Sequence, residues 1–115
     1  MSVLNFQNVH VTLVVVPTDL RCGYFRLCTI AEHELEIDLK SGKEAVVFLS
    51  KSRKIAKIIS RDEKGTLLIT RTLHQGRFEE ILTKTNSKGK LSLTLSELEQ
   101  YLNAESLYVK PSSIW

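Results

Sequence analysis

The residues with the most chemistry to offer are cations. Lys51, Arg53, Lys54, Lys57, Arg61, Arg71 and Arg77 fall in one central stretch of the chain. Ammonium and guanidinium groups at this density attract phosphate-rich partners and give charge-assisted hydrogen bonds to phosphate or carboxylate oxygens. A solvated face has the same composition, so the sequence leaves both readings open. The groups of catalysis are dispersed by comparison. His10, His33 and His74 fall on a strand, an acidic helix surface and a turn, and none has a recognised catalytic spacing. There is no GxSxG, HExxH or GxxxxGKS pattern and no pair of CxxC motifs. The adjacent acids Glu79-Glu80 and Asp62-Glu63 point to opposite faces if they lie on strands, which makes them poor metal or general-acid pairs. The expectation is a binding protein: not an enzyme, with no cofactor, no metal and no small-molecule substrate.

How the cations sit depends on strand register. A three-residue loop at Asp62-Glu63-Lys64-Gly65 pairs Asp62 with Thr66, Ile59 with Ile69 and Lys57 with Arg71. Two cations then face each other within about 8 Å, an arrangement relieved by an acid, by water or by a bound phosphate. A register shifted by one residue, or side chains that splay apart, removes the pair. Lys51, Arg53 and Lys54 are read as loop residues between two strands.

The elements that position these residues follow from hydrophobic patterning. Val9–Val16 is β-branched and is stopped by Pro17. Thr18 or Asp19 can cap a helix in which Leu20, Tyr24, Leu27, Cys28, Ala31 and Leu35 form one buried stripe. Glu32, Glu34, Glu36 and Asp38 then alternate with Leu35, Ile37 and Leu39, an extended pattern that ends at Ser41-Gly42. From Glu44 onward short apolar runs alternate with turns: Ala45–Ser50, Ile55–Arg61, Thr66–Leu73 and Arg77–Thr83, with Gln75-Gly76 a tight hairpin and Asn86–Gly89 a further turn before Lys90–Thr94. Thr94-x-x-Glu97 is a capping box that opens a short helix with Leu98, Tyr101 and Leu102 inward. The expected fold is α+β: an antiparallel meander of about five strands, an N-terminal amphipathic helix and a short C-terminal helix. Residues 1–115 form a single domain, with 107–115 an irregular tail that carries Trp115.

Composition agrees with a folded domain. Of 115 residues, 43% are hydrophobic and 25% charged, near the averages for globular proteins. The formal charge of +3 conceals an uneven distribution: residues 40–90 hold 13 of the 16 lysines and arginines. No apolar run approaches the roughly 18 residues of a membrane span, so no membrane partner is expected. The N-terminus lacks the pattern of a secretory signal, and the cytoplasm is the expected compartment. Cys22 and Cys28 would lie roughly 9 Å apart along a continuous helix, too far to pair, and are read as buried thiols.

On this background the chain resembles the small accessory protein encoded beside the transposase in the insertion sequence sixty-six family. Pro17–Leu27 (PTDLRCGYFRL) is similar to the family's TDMRKGxxGL-type signature at Thr18, Asp19, Arg21 and Gly23. From Phe48 to Phe78, without a gap, Lys51, Arg53, Lys57, Asp62, Gly65, Arg71, Leu73, Gly76, Arg77 and Phe78 fall on the family's pattern, and LSLTLSELEQYL resembles its C-terminal segment. Cys22, Ile55 and Ser60-Arg61 depart from it, which leaves fewer cations than is usual. The resemblance implies a protein needed alongside a transposase and supplies no catalytic residues. A nuclease that shares the family's label is unrelated. Two functions follow as expectations: an accessory protein of transposition that binds DNA non-specifically or the transposase through its basic face, or an interaction adaptor with no nucleic-acid binding.

Overall fold

The β-branched run before Pro17 forms the first strand of a five-stranded sheet in the computed structural model, which describes residues 8–81 and 89–105. The strands are β1 (His10–Val14), β2 (Glu44–Leu49), β3 (Ile55–Asp62), β4 (Gly65–Thr72) and β5 (Lys90–Leu93), in the spatial order β4-β3-β2-β1-β5. Two α-helices accompany them, α1 (Tyr24–Thr29) and α2 (Leu95–Leu102). The α+β class is as expected, but the purely antiparallel meander is not. β1 runs parallel to β2, from His10 opposite Glu44 to Leu13 opposite Val47, and antiparallel to β5. Parallel neighbours need a crossover of about a dozen residues or more, and the helical stretch between Pro17 and Lys43 supplies it. Period-two patterning marks a strand but carries no information on its direction.

The first helix is shorter and later than its apolar stripe suggests. The Asp19 carboxylate accepts from the Arg21 backbone N–H at 3.0 Å and caps only the 3-10 turn Leu20–Cys22. Gly23, with φ 84°, then redirects the chain into α1, and a π-turn, Ile30–Glu34, closes with a Leu35 N–H bond to the Ile30 carbonyl. The stripe survives these changes of pitch, because Leu27 and Ala31 are fully buried and Leu20, Cys28 and Leu35 nearly so. Cys22 lies outside the stripe and is exposed, contrary to expectation, while Cys28 is buried.

Both faces of the sheet are covered over β1, β2 and most of β3, whereas β4 is exposed along almost all its length. Val14, Val46, Phe48 and Ile59 pack under α1 and the Leu35–Leu39 segment. Val11, Leu13, Val47 and Ile58 pack under α2 together with Phe78. The α2 capping box forms as read: Thr94 Oγ1 accepts from Glu97 N–H at 3.1 Å and Glu97 Oε1 from Thr94 N–H at 2.8 Å. Arg77–Ile81, by contrast, is not a strand, so Gly76, at φ 73°, makes a bend and no hairpin. Phe78 accounts for the difference: its ring is 1% exposed and stacks on Tyr101 with centroids 5.5 Å apart. Burying that ring draws the segment under α2 and away from the β4 edge. The expected tail 107–115, Thr83 and most of the Asn86–Gly89 turn lie outside the described residues.

Candidate nucleic-acid interface

The β3–β4 hairpin decides which cations meet. Asp62 Oδ1 accepts from the N–H groups of Lys64 and Gly65 at 2.8 and 2.9 Å, which closes the loop over two residues, with Asp62 directly opposite Gly65. The register is therefore shifted by one from the three-residue loop. Lys57 pairs with Thr70, and Arg71 pairs with Ala56. Because successive residues alternate faces, Lys57 and Arg71 project from opposite sides of the sheet, and the expected cation pair does not exist.

Each cation then finds a separate environment. Lys57, on the α1 face, donates from Nζ to the Leu20 carbonyl at 3.2 Å. Arg71, on the α2 face, donates to Asn103 Oδ1 at 3.1 Å. Arg61 is half-buried near Tyr24, at the far end of β3. Arg53 is not a free loop residue. Its backbone, at φ 59°, bonds at both N–H and C=O, to Ser50 and Phe78. Its side chain reaches the Phe78 carbonyl at 3.3 Å and Glu80 at 3.9 Å. Arg53 thus ties the β2–β3 turn to the segment that carries Phe78. Lys51, Lys54 and Arg77 are exposed around the same turn.

The two stretches that carry the family resemblance meet at this end of the sheet. Thr18 N–H bonds to the Leu49 carbonyl at 2.8 Å, which sets the Thr18–Arg21 turn beside the Ser50–Lys54 turn. Between them lies a cleft of about 500 Å³ lined by Thr18, Asp19, Arg21, Lys51, Ser52 and Lys57, with Leu20, Ser50 and Ile55 completing the wall. Arg21 grips Asp19 with a two-pronged fork, Nε to Oδ1 and Nη2 to Oδ2, both at 3.0 Å. The Arg21 side chain, then its backbone N–H, and then the charge of Lys51 hold the Asp19 carboxyl down to about 2. Arg21 thereby offsets the charge of the one carboxylate of the cleft, and Lys51 and Lys57 are the further cations of its lining. The remaining signature residues serve the scaffold: Gly23, Asp62, Gly65 and Gly76 shape turns, and Phe78 fills the core.

Another constellation was not legible in the sequence. His10 Nδ1 lies 2.9 Å from Glu44 Oε1 and His10 Nε2 lies 2.8 Å from Ser92 Oγ. The order serine, histidine, carboxylate is that of a hydrolase triad. The imidazole is 53% exposed, however, so water competes for each bond. We read the chain as a strap across β2, β1 and β5. Only the β1 register, which sets His10 opposite Glu44 and Thr12 opposite Ser92, brings the three together. Among the described residues no three His, Cys, Asp or Glu side chains are grouped as metal ligands would be. No helix there is long and apolar enough to cross a membrane.

Fold and site together define a small α+β protein with Lys51, Lys54 and Arg77 exposed at one end of a mixed sheet. The chain belongs to the IS66 Orf2-like protein family, whose model matches residues 9–108. It is therefore an accessory protein associated with an insertion sequence. It is also similar to a protein of Sinorhizobium fredii (strain NBRC 101917 / NGR234) called "Uncharacterized protein y4hO", with 35% identity over 109 residues, which cover 95% of this chain and 90% of that one. No solved structure matches.

Proposed function

We propose that this accessory protein works on the DNA of its element, holding the phosphate backbone with the end of the sheet where Lys51, Lys54 and Arg77 are exposed. The observation that carries the reading is the clustering of these three around the β2–β3 turn, while Arg53 and Arg71 are tied into the fold. Exposed cations clustered at one end form a surface that can be laid on a charged rod. The described residues place no helix as a base-reading element, so the contacts are to phosphates, which give affinity without sequence choice.

The three exposed cations of this turn set the scale. Each phosphate neutralised contributes about −0.9 to the slope of log affinity against log salt on duplex DNA, so the expected slope is about −2.7. Binding of this kind is weak and disappears at a few hundred millimolar salt. The test is a fluorescence-anisotropy titration of labelled duplex at a series of salt concentrations. Absence of binding at the lowest salt overturns the reading in favour of an adaptor whose cations meet an acidic protein surface. A transposase from the same element is the natural protein partner under either reading, and duplex DNA that competes in a pull-down of the two separates them.

A further inference from the structure

The cleft beside the β2–β3 turn differs in kind from the exposed cations next to it. A duplex presents its phosphates on a convex surface, which Lys51, Lys54 and Arg77 can meet without any concavity. The cleft is concave, and its volume of about 500 Å³ is far more than one phosphate group fills. That size lies within the range of about 300–1,000 Å³ in which whole small ligands are held. Its chemistry has two parts. Hydroxyls of Thr18, Ser50 and Ser52 stand among the cations Arg21, Lys51 and Lys57, while Leu20 and Ile55 offer apolar wall.

Two of the cations beside the cleft hold defined positions and keep N–H donors to spare. Arg21 spends Nε and Nη2 on Asp19, so the carboxylate that would repel a ligand is already matched, and Nη1 is outside that fork. Lys57 is half-buried and held by the Leu20 carbonyl at 3.2 Å, which fixes its ammonium at the wall. A lysine ammonium has three N–H donors, so two remain for a ligand. A phosphodiester inside a strand offers one negative charge. A phosphomonoester carries about −1.5 to −2 charges and three strong acceptor oxygens, and uses such a donor set more fully.

We infer that this cleft receives the phosphorylated end of a DNA strand, with the terminal phosphate among Arg21, Lys51, Lys57 and the hydroxyls and the attached nucleotide against Ile55. This inference rests on the DNA reading above and adds to it a preference for strand ends. A 5′-phosphate and a 3′-phosphate share the chemistry, and the experiment distinguishes them.

The probes are three single-stranded 12-mers of one sequence, ending in a 5′-phosphate, a 3′-phosphate or hydroxyls alone, together with a covalently closed duplex circle that has no ends. Affinities of the full chain are compared at one salt concentration. The expected result is that one phosphorylated strand binds at least about tenfold more tightly than the hydroxyl-ended strand, the scale of one added charge-assisted hydrogen bond. Which strand gains assigns the end. Lys57→Gln, which keeps a donor for the Leu20 carbonyl but removes the charge, should abolish the gain and leave binding of the circle unchanged. Should Lys57→Gln disturb the turn, as its amide spectrum would reveal, Ser52→Asp brings a repelling carboxylate to the cleft from an exposed position and should also abolish the gain. Equal affinity of all three strands while the circle still binds overturns the inference and leaves the DNA reading standing. Failure to bind any of the four overturns both. Displacement of the phosphorylated strand by a glutamate-rich peptide at equal concentration also overturns it, in favour of an acidic protein segment as occupant.

Discussion

Replacing Arg53 by alanine separates a strut from a phosphate contact. In the folded protein its side chain donates to the Phe78 carbonyl at 3.3 Å and lies 3.9 Å from Glu80, while its backbone takes φ 59°. A hydrogen bond from a charged donor contributes about 1.5–3 kcal/mol, and partial exposure and a long bond bring the expected loss to about 1–2 kcal/mol. The left-handed backbone costs a residue with a Cβ roughly 1–2 kcal/mol, a penalty that alanine keeps and glycine escapes. Arg53→Ala should therefore lower stability by about 1–2 kcal/mol, and Arg53→Gly by about 1 kcal/mol less than that. Urea unfolding followed by circular dichroism measures both, with an unchanged m-value as the sign that the unfolded state is not at issue. The salt slope of duplex binding should stay near the wild-type value for each variant that is still folded. Arg53→Ala with wild-type stability and a slope flatter by about 0.9 would refute the argument, because Arg53 would then be spending its charge on phosphate.

Other perturbations test neighbouring parts of the account. Tyr101 donates to the Glu79 carbonyl at 2.7 Å, and Tyr101→Phe should cost about 1–3 kcal/mol in urea unfolding, since it leaves a part-buried acceptor unpaired. Burial also pushes the Tyr101 phenol above its ordinary value of 10.0, with Glu79 adding to the shift. The raised group stabilises the fold fully below pH 10, and its contribution is lost as pH rises beyond that; Tyr101→Phe should lose less stability than wild type between pH 9 and 11 in the same unfolding assay. Asp19 runs the other way: held down to about 2, it supports its turn above the ordinary 3.8 and loses that support as pH falls toward 2. An NMR titration of the Asp19 carboxyl should give a midpoint near 2 in wild type and a rise toward 3.8 in Arg21→Ala.

Local chemistry was readable from the sequence wherever a few consecutive residues decide it. Thr94 and Glu97 cap α2 because a capping box needs only four residues, and Leu27, Ala31 and Leu35 are buried because their spacing holds through α1 and the π-turn. Direction and register were not readable, because they are set by contacts distant along the chain. Nothing in Val9–Val16 says that β1 lies between β2 and β5, or that it runs parallel to one of them. The two-residue closure at Asp62–Gly65 turned on which backbone N–H groups the Asp62 carboxylate would take, and that single choice moved Lys57 and Arg71 to opposite faces. The cleft was half legible. Both of its segments stood out through the family resemblance, but only the Thr18–Leu49 bond and the return of the chain beside β2 bring them together. The role of Arg53 is hidden in the sequence because a basic residue in a turn looks the same whether it faces solvent or reaches for a carbonyl 25 residues away.

The central claim is that DNA is held at one end of the sheet, and two variants of equal charge test it directly. Lys51→Ala with Lys54→Ala removes two exposed cations from the β2–β3 turn. Lys43→Ala with Lys64→Ala removes two from the opposite end, where they lie beside Asp62 and Glu63. Salt titrations of duplex affinity on both should show the first slope flatter by about 1.8 and the second unchanged. Equal flattening in the two variants would contradict the account, since the protein would then be sensing DNA through its net charge and not through that end.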